Sequence, residues 1–152
     1  MHIEQIFISA ERGSLQTQCA SISVEAGAGI IGDRNFGLTK YAGQNLTLIE
    51  AEEIENFCFL SDRNVDLSLT RRNLITRGIR LNELLGKEFS VGDVMVKGVE
   101  LCEPCSILSE ILCNEKFSKS AVVKYWVNRG GLRVDVITSG KIEIGSGIKV
   151  GK

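Results

Sequence analysis

Alternating apolar and polar positions predict a chain built largely from short strands. Between His2 and Ser9, isoleucines recur nearly in phase, and the same alternation appears in Ser21–Glu25 and Leu132–Val136. Further strands are predicted at 44–49, 66–76 and 88–101, the last interrupted by a turn at Gly92 and a bulge near Gly98. Apolar positions after residue 140 extend the alternation. The C-terminal region is therefore expected to form a β-meander.

Three segments show helical spacing instead. The first covers about 50–59, and its buried face is predicted to comprise Ala51, Ile54, Phe57 and Cys58, with glutamates outside. A second follows Pro104, and a third covers about 122–127, where β-branched residues leave a strand as an alternative. A single helical turn is predicted at 81–85. Together these elements predict one strand-dominated α+β domain over 1–152, a small closed or half-closed barrel with about three short helices.

Charge and hydropathy exclude some classes of partner. The formal net charge is −1, which gives no reason to expect nucleic acid or an anionic membrane surface as a partner. No apolar run reaches the roughly 18 residues of a membrane span, and the N-terminus lacks a signal pattern, so a cytoplasmic protein is expected. The charges are nevertheless segregated, because acidic residues cluster at 50–62 and arginines at 63–80. A local basic wall is therefore compatible with a neutral total.

Five cysteines in a chain of this length do not suggest a disulfide framework. Cys19, Cys58 and Cys113 lie in apolar contexts and are predicted to be small core residues. Cys102 and Cys105 differ, because they flank the only proline at a predicted junction between strand and helix. Pro104 suits the first helical position, and Cys105 would then lie in the first turn, where the helix dipole favours a thiolate.

The Cys102-x-x-Cys105 pair is compatible with four interpretations. A zinc site would need scattered ligands, since His2 is the only histidine. A dithiol redox pair would normally follow a parallel strand in a βαβ unit, which the pattern does not predict. A single activated thiolate that binds a soft metal or carries sulfur needs only Cys105 at the helix start. The fourth interpretation is a buried structural pair.

Arginines at predicted turns supply a second kind of chemistry. Arg34, the Arg71-Arg72-Asn73 triplet and Arg133 each lie at a strand end or beside glycines. Guanidinium groups and backbone N–H groups at such positions can converge on a phosphate. Spacing alone does not join these residues into one site.

These arginines and Asn73 fall within five segments of the chain that, taken in order, resemble the motifs of one family. They are Ile31-Gly32-Asp33-Arg34, 46–52, 71–79, Leu101-Cys102-Glu103-Pro104-Cys105 and Arg129-Gly130-Gly131-Leu132-Arg133. As a set they resemble the motifs of the MOSC domain, which occurs at the C-terminus of molybdenum cofactor sulfurases and as a stand-alone protein. The resemblance covers about residues 1–150.

The resemblance implies a β-barrel-like fold, a pterin-based molybdenum cofactor and a cysteine that bonds molybdenum or carries sulfur. Matched residue by residue, the family's cysteine falls on the motif around Cys102 and Cys105, and Cys105 is chosen as the expected catalytic cysteine and metal ligand because its predicted position at the helix start agrees. Cys102 stays open as the alternative functional thiol. The residues that would hold the cofactor are Arg34, Arg71, Arg72, Asn73, Arg133 and Cys102. Asn35 stands where some relatives have histidine, so a proton would come from water, substrate or a carboxylate such as Asp33.

Three functions follow from this resemblance as hypotheses. The first is a molybdenum-dependent oxidoreductase that reduces N-hydroxylated or similar N-oxygenated compounds, with electrons from a separate reductase. The second is a carrier of persulfide sulfur or of the cofactor, without turnover, served by a cysteine desulfurase because no desulfurase domain is recognisable in this chain. The third is a binding module that acts as a sensor or adaptor. The oligomeric state is not readable from the sequence.

Overall fold

A computed structural model describes residues 1–104 and 106–151 of the chain. Its strands are β1 (His2–Ile8), β2 (Thr17–Cys19), β3 (Ser21–Glu25), β4 (Gly29–Ile30), β5 (Leu46–Glu50), β6 (Leu74–Arg77), β7 (Glu88–Val91), β8 (Val94–Leu101), β9 (Leu132–Val136), β10 (Gly140–Glu143) and β11 (Ile148–Val150). Its helices are α1 (Ala51–Leu60), α2 (Ser106–Leu112), α3 (Lys119–Trp126) and a 3₁₀ helix at Leu81–Leu84. The strand-dominated α+β class predicted from the pattern is confirmed.

Eight strands form one curled sheet in the order β11-β7-β8-β9-β5-β6-β1-β2. Among the described strand pairs only β5 and β6 run parallel, and α1 connects them across the sheet. The curl brings the turn before β11 against β1, where Ile3 N donates to Ser146 O at 2.9 Å and Ile148 N donates to Met1 O at 3.0 Å. The sheet thus forms the barrel-like wall that the sequence predicted, and a smaller sheet, β10-β3-β4, lies beside it.

Two apolar clusters fill the molecule, one on each face of the curled sheet. Successive residues of β5 and β6 point to opposite faces, so Leu48 and Leu74 join the cluster inside the barrel, whereas Ile49 and Ile75 join the outer one. The helices cover the outer cluster, to which α1 contributes its predicted face of Ala51, Ile54, Phe57 and Cys58. Both faces of β5 are therefore buried, and its burial is continuous rather than alternating.

The bulge predicted in β8 is confirmed, because the register with β9 shifts between Gly98 and Glu100. An added Cβ at Gly98 would lie 2.3 Å from Leu84 O, so this position requires glycine for the close approach of the 3₁₀ helix. Beyond the bulge, the end of β8 stays paired with the start of β9 through Leu101 and Leu132, and the chain continues from there to Cys102.

Three local predictions are wrong. The segment 66–76 forms a strand only from Leu74, because Asp66 accepts hydrogen bonds from Ser68 N and Oγ and so holds a local turn. The C-terminal strands do not form a meander, since β10 pairs with β3 and β11 pairs with β7. Pro104 lies outside α2, of which Ser106 is the first residue described.

Within the described residues, no helix is both long and apolar enough to cross a membrane.

Candidate functional site

A cavity of about 750 Å³ opens where β1 ends and β6 begins. Five arginines line it, namely Arg12, Arg34, Arg71, Arg72 and Arg133. The acidic residues of the described lining are Glu11 and Asp33, so positive charge is in excess. All of these arginines except Arg12 were predicted from the sequence, because they lie at turns or strand ends. The four predicted arginines come from three separate parts of the chain.

The loop before β5 brings Arg34 to the cavity, and Asp33 holds that loop in place. Its carboxylate accepts a hydrogen bond from Ser9 N at 3.0 Å and another from Asn35 N at 3.2 Å. Arg34 N donates in turn to Ser9 O at 2.7 Å. These bonds fasten the loop to the end of β1, so both oxygens of Asp33 have a structural use.

The guanidinium of Arg34 has no hydrogen-bond or ion-pair partner among residues 1–104 and 106–151. Burial lowers its pKa from the ordinary value, and the positive charge of Arg71 lowers it further. An arginine nevertheless remains protonated at neutral pH. Arg34 is therefore a cation with unused N–H donors, and it lies close to other cations. A bound anion would accept hydrogen bonds from these donors and would offset the repulsion between the positive charges.

Arg71 and Arg72 are anchored by backbone carbonyls rather than by carboxylates. Arg71 Nη2 donates to Ser14 O at 2.7 Å, and Arg72 Nε donates to Gly130 O at 3.0 Å. Each contact uses one of the five N–H donors of a guanidinium and leaves its charge uncompensated. Arg71 also adopts a φ of 61°, in the left-handed region that non-glycine residues rarely occupy.

Asn73 is buried and serves the framework of the cavity. Its Oδ1 accepts from Thr47 N at 3.2 Å and from Thr47 Oγ1 at 3.1 Å, and its Nδ2 donates to Phe7 O at 3.1 Å. The side chain therefore joins β1, β5 and the start of β6. Asn73 also lines the cavity. Its hydrogen bonds hold the backbone next to Arg71 and Arg72 in place, and so position these two arginines.

Arg133 lies in β9 and completes the basic lining. Its Nε is 3.6 Å from Glu100 Oε1, so Arg133 is the one cavity arginine with a carboxylate partner among the described residues. Gly43, with a φ of 84°, packs against it, and an added Cβ there would lie 3.1 Å from Arg133 Cβ.

Cys102 is buried beneath this basic lining and does not belong to the described cavity wall. Its N–H donates to Gly131 O at 2.8 Å, and its own carbonyl would lie 2.6 Å from an added Cβ at Gly130, which requires glycine there. Burial raises the pKa of the Cys102 thiol, and the charges of Arg72 and Arg133 only partly oppose that shift. Cys102 is thus a protonated thiol at neutral pH.

Cys105, the predicted metal ligand and catalytic residue, lies outside the described residues. In the part of the chain that the structure describes, no group of three or more His, Cys, Asp or Glu side chains could hold a metal ion. His2 is bound to Glu4 at 3.0 Å and is not among the residues that line the cavity.

Among the lining residues that were not predicted from the sequence are Arg12, Thr70 and Gln16. Arg12 stands in a turn beside a glycine, as the predicted arginines do, but it lies outside the five segments that resemble the family, and Thr70 and Gln16 are uncharged. The Thr70 Oγ1 and Gln16 Oε1 atoms are buried without a hydrogen-bond partner among the described residues. Buried polar atoms are normally paired, so these two indicate polar contacts that a ligand of the cavity would provide.

Comparison with solved structures identifies the fold. The YuaD protein from Bacillus subtilis is similar at a TM-score of 0.82 and 20% identity, over 96% of this chain and 92% of that one. YiiM from Geobacillus stearothermophilus is similar at a TM-score of 0.74 and 15% identity, over 99% of this chain and 75% of that one. YiiM from Escherichia coli gives a TM-score of 0.68 at 16% identity, over 100% of this chain and 70% of that one. At these identities the likeness establishes the fold alone.

Sequence comparison identifies the family. No curated protein sequence matches the chain. The profile of the MOSC domain matches residues 33–149, which include four of the five arginines of the cavity and both cysteines of the Cys102-x-x-Cys105 pair. The chain therefore belongs to the MOSC domain family.

Proposed function

We propose that this MOSC protein binds the pterin-based molybdenum cofactor in the arginine-lined cavity, with Cys105 as the ligand of molybdenum. The observation that carries the proposal is the convergence of Arg34, Arg71, Arg72 and Arg133 on one cavity. A phosphorylated pterin needs cationic donors for its phosphate and polar contacts for its ring system. The family association with this cofactor supplies the identity of the anion.

The residues of the cavity fit such a ligand. A volume of about 750 Å³ lies within the usual range for small-molecule and cofactor sites. Arg34 has free donors, and the buried Thr70 hydroxyl lacks a partner among the described residues. Charged donors in a partly buried site bind phosphate more strongly than exposed ones do, because water screens them less.

The residues of the proposed site fall into two groups. Arg34, Arg71, Arg72 and Arg133 would hold the phosphate and the pterin of the cofactor. Asn73 and Asp33 position these arginines through the hydrogen bonds described above. The bound cofactor would supply the two-electron reduction of an N-hydroxylated compound, with electrons from a separate reductase.

Cys105 is preferred to Cys102 as the functional thiol. A metal ligand must be a thiolate, and burial disfavours the thiolate of Cys102 by raising its pKa. The backbone of Cys102 is also packed against Gly130 and Gly131. Cys102 therefore suits a supporting role beneath the site.

A carrier of sulfur or cofactor, without turnover, is the second candidate. A scarcity of proton donors favours it, since both oxygens of Asp33 accept backbone N–H groups and His2 does not line the cavity. Glu11 is then the remaining carboxylate of the described lining. A carrier predicts a mass gain of about 32 Da on Cys105 after treatment with a cysteine desulfurase, and no continuous oxidation of a reductant.

The deciding experiment measures molybdenum and phosphorus per chain after anaerobic co-expression with the cofactor pathway. Wild type is compared with Cys105→Ala and with Cys102→Ala as the matched cysteine control. Near-stoichiometric molybdenum that falls only in Cys105→Ala is the expected result. A folded wild type without molybdenum, or a Cys105→Ala variant with full metal content and activity, would contradict the proposal.

A further inference from the structure

The turn that joins β1 to β2 is held together by its own hydrogen bonds. Ser14 N donates to Glu11 O at 3.1 Å, and Ser14 Oγ donates to the same carbonyl at 2.8 Å. Glu11 N donates in turn to Ser14 Oγ at 3.3 Å. Gly13 completes the turn with a φ of 77°, which glycine adopts without steric cost. Residues 11–14 therefore form one rigid unit, and we call residues 10–16 the clasp.

The clasp is attached to the rest of the protein mainly by polar contacts. Arg71 Nη2 donates to Ser14 O at 2.7 Å. Ser9 Oγ lies 3.1 Å from both Glu11 O and Ser14 O, but a hydroxyl has one proton and donates to one of these carbonyls at a time. Leu15, the large apolar side chain of the clasp, is 91% exposed and does not anchor it. A segment with so little buried apolar surface moves at low energetic cost.

Arg12 is both exposed and part of the cavity lining. Its guanidinium has no hydrogen-bond or ion-pair partner among residues 1–104 and 106–151. Burial lowers the pKa of Arg34, and the positive charges of Arg71 and Arg12 lower it further, so Arg12 lies within the field of the other cations. A bound anion replaces the repulsion that Arg12 experiences by attraction.

Arg71 couples the clasp to the cavity. One of the five N–H donors of its guanidinium holds Ser14 O, and the others are available to an anion in a cavity that Arg12 also lines. An anion bound by Arg71 therefore contacts the residue that holds the clasp. Binding of the anion and the position of the clasp are thus linked through one side chain.

We propose that the clasp closes over an anion bound in the cavity and that Arg12 is the residue that draws it shut. Residues 11–14 move with Arg12 as one unit, and Arg71 holds the anion and Ser14 O together. The proposal rests on the anion site of the proposed function and adds a moving element to it. That element lies outside the MOSC match, which begins at residue 33. Closure slows the release of the anion, because the clasp must open before the anion leaves.

Limited digestion of the full-length chain with trypsin reads the position of the clasp, because trypsin cuts after Arg12. Lys116 is the internal control site, since it is exposed between α2 and α3 and does not line the cavity. Mass spectrometry follows both cuts, without pyrophosphate and with pyrophosphate at about a hundred times the Kd that calorimetry gives. We expect pyrophosphate to slow the cut after Arg12 about tenfold or more, because ligand at that excess shifts a linked equilibrium by up to about a hundredfold. The cut after Lys116 should keep its rate.

Variants separate the charge of Arg12 from the rigidity of the clasp. Arg12→Gln should weaken the binding of pyrophosphate about threefold to tenfold, with Lys116→Gln as the control that leaves binding unchanged. Ser14→Ala keeps every charge but removes the hydroxyl that bonds Glu11, so pyrophosphate should no longer protect the bond after Arg12. Ser14→Thr keeps the hydroxyl and should restore the protection.

The outcomes separate this proposal from the proposed function. Pyrophosphate that binds without slowing the cut after Arg12, or that slows both cuts equally, would overturn the clasp and leave the anion site standing. Full protection in Ser14→Ala would also overturn it, because the clasp would then not move as a hydrogen-bonded unit. Wild type that binds no pyrophosphate would overturn the clasp and the anion site together. Protein that closes on pyrophosphate but retains no molybdenum supports the clasp and contradicts the proposed function alone.

Discussion

The two ends of β6 carry the same residue type in opposite circumstances. At the C-terminal end, Arg77 donates to Glu4 at 3.0 Å and to both carboxylate oxygens of Glu55 at 2.9 Å. Before the N-terminal end, Arg72 donates to the carbonyl of Gly130. The first arginine is neutralised by two carboxylates, whereas the second is held in position with its charge intact.

This difference teaches how the fold separates structural from functional charge. A carbonyl fixes the geometry of a guanidinium without cancelling its field, so Arg71 and Arg72 remain available to an anion. A bidentate carboxylate cancels the field and leaves few free donors. The cluster of arginines between residues 63 and 80 therefore divides, and only its members near the start of β6 reach the cavity.

The largest expected effect comes from the residue that holds the cavity end together. Asn73→Ala removes three side-chain hydrogen bonds and leaves the buried Thr47 N–H and the Thr47 hydroxyl proton without their acceptor, although Thr47 Oγ1 still accepts from the backbone N–H of residue 73. We expect the free energy of unfolding to fall by about 2–4 kcal/mol, since each unpaired buried group costs about 1–3 kcal/mol. Urea unfolding of both proteins measures this change.

Asn35→Ala is the matched control for that prediction. Asn35 also lines the cavity, but among the described residues its side chain makes no hydrogen bond, and its backbone N–H and C=O are engaged with Asp33 and Leu38. Its loss should change the free energy of unfolding by less than about 0.5 kcal/mol. Equal effects of the two substitutions would show that Asn73 does not position the cavity.

The next effect concerns anion binding and contrasts an unpaired arginine with a paired one. Arg34→Gln should weaken the binding of pyrophosphate about tenfold to a hundredfold, because a hydrogen bond to a charged group contributes about 1.5–3 kcal/mol. Arg80→Gln is the control, since Arg80 lies 3.5 Å from Glu50 and does not line the cavity. Calorimetric titration at low and high salt measures both. Equal losses in the two variants would contradict an anion site in the cavity.

The local elements were largely readable from the sequence, but their partners were not. Alternation identified β1, β3 and β9, and helical spacing identified α1 with its buried face. Alternation shows that a segment is half-buried and does not show which strand it pairs with. For that reason β10 and β11 were assigned to a meander, although each pairs with a strand that is distant in sequence.

The residues of the candidate site were likewise only partly predictable from the sequence. Arg34, Arg71, Arg72 and Arg133 were identified because each adjoins a turn or a strand end, and resemblance to the family joined them. Arg12 was missed because it lies outside the segments that resemble the family, although it too stands in a turn, and Thr70 was missed because a threonine before a strand has no distinctive pattern. The hydrogen bonds of the Asn73 side chain could not be predicted either, since they depend on the parallel register of β5 and β6.

A smaller effect tests the backbone of Arg71. Arg71→Gly should raise the free energy of unfolding by about 1 kcal/mol, because glycine adopts a φ of 61° without the steric cost that other residues incur. The same substitution should weaken pyrophosphate binding, so stability and binding change in opposite directions. Asn128→Gly, at a φ of 62° outside the cavity, is the control and should leave pyrophosphate binding unchanged. Unchanged binding in Arg71→Gly would exclude Arg71 from the anion site.

The smallest effect concerns pH at the neutralised end of β6. A hydrogen bond from His2 lowers the pKa of Glu4 below its ordinary value of 4.5, and a hydrogen bond from Arg77 lowers it further. A depressed carboxyl pKa contributes stability that is present above the unfolded value and is lost as the pH falls through the folded value. Glu4→Gln should therefore be less stable than wild type near neutral pH, by no more than about 1 kcal/mol, and the two should converge below pH 4.5.

Glu25→Gln, at an exposed position with no ion pair among the described residues, is the control for Glu4→Gln, and thermal unfolding across the same pH range measures both variants. A constant offset between Glu4→Gln and wild type down to acidic pH would mean that Arg77 is neutralised by Glu55 alone, and the contrast between the two ends of β6 would then rest on one carboxylate.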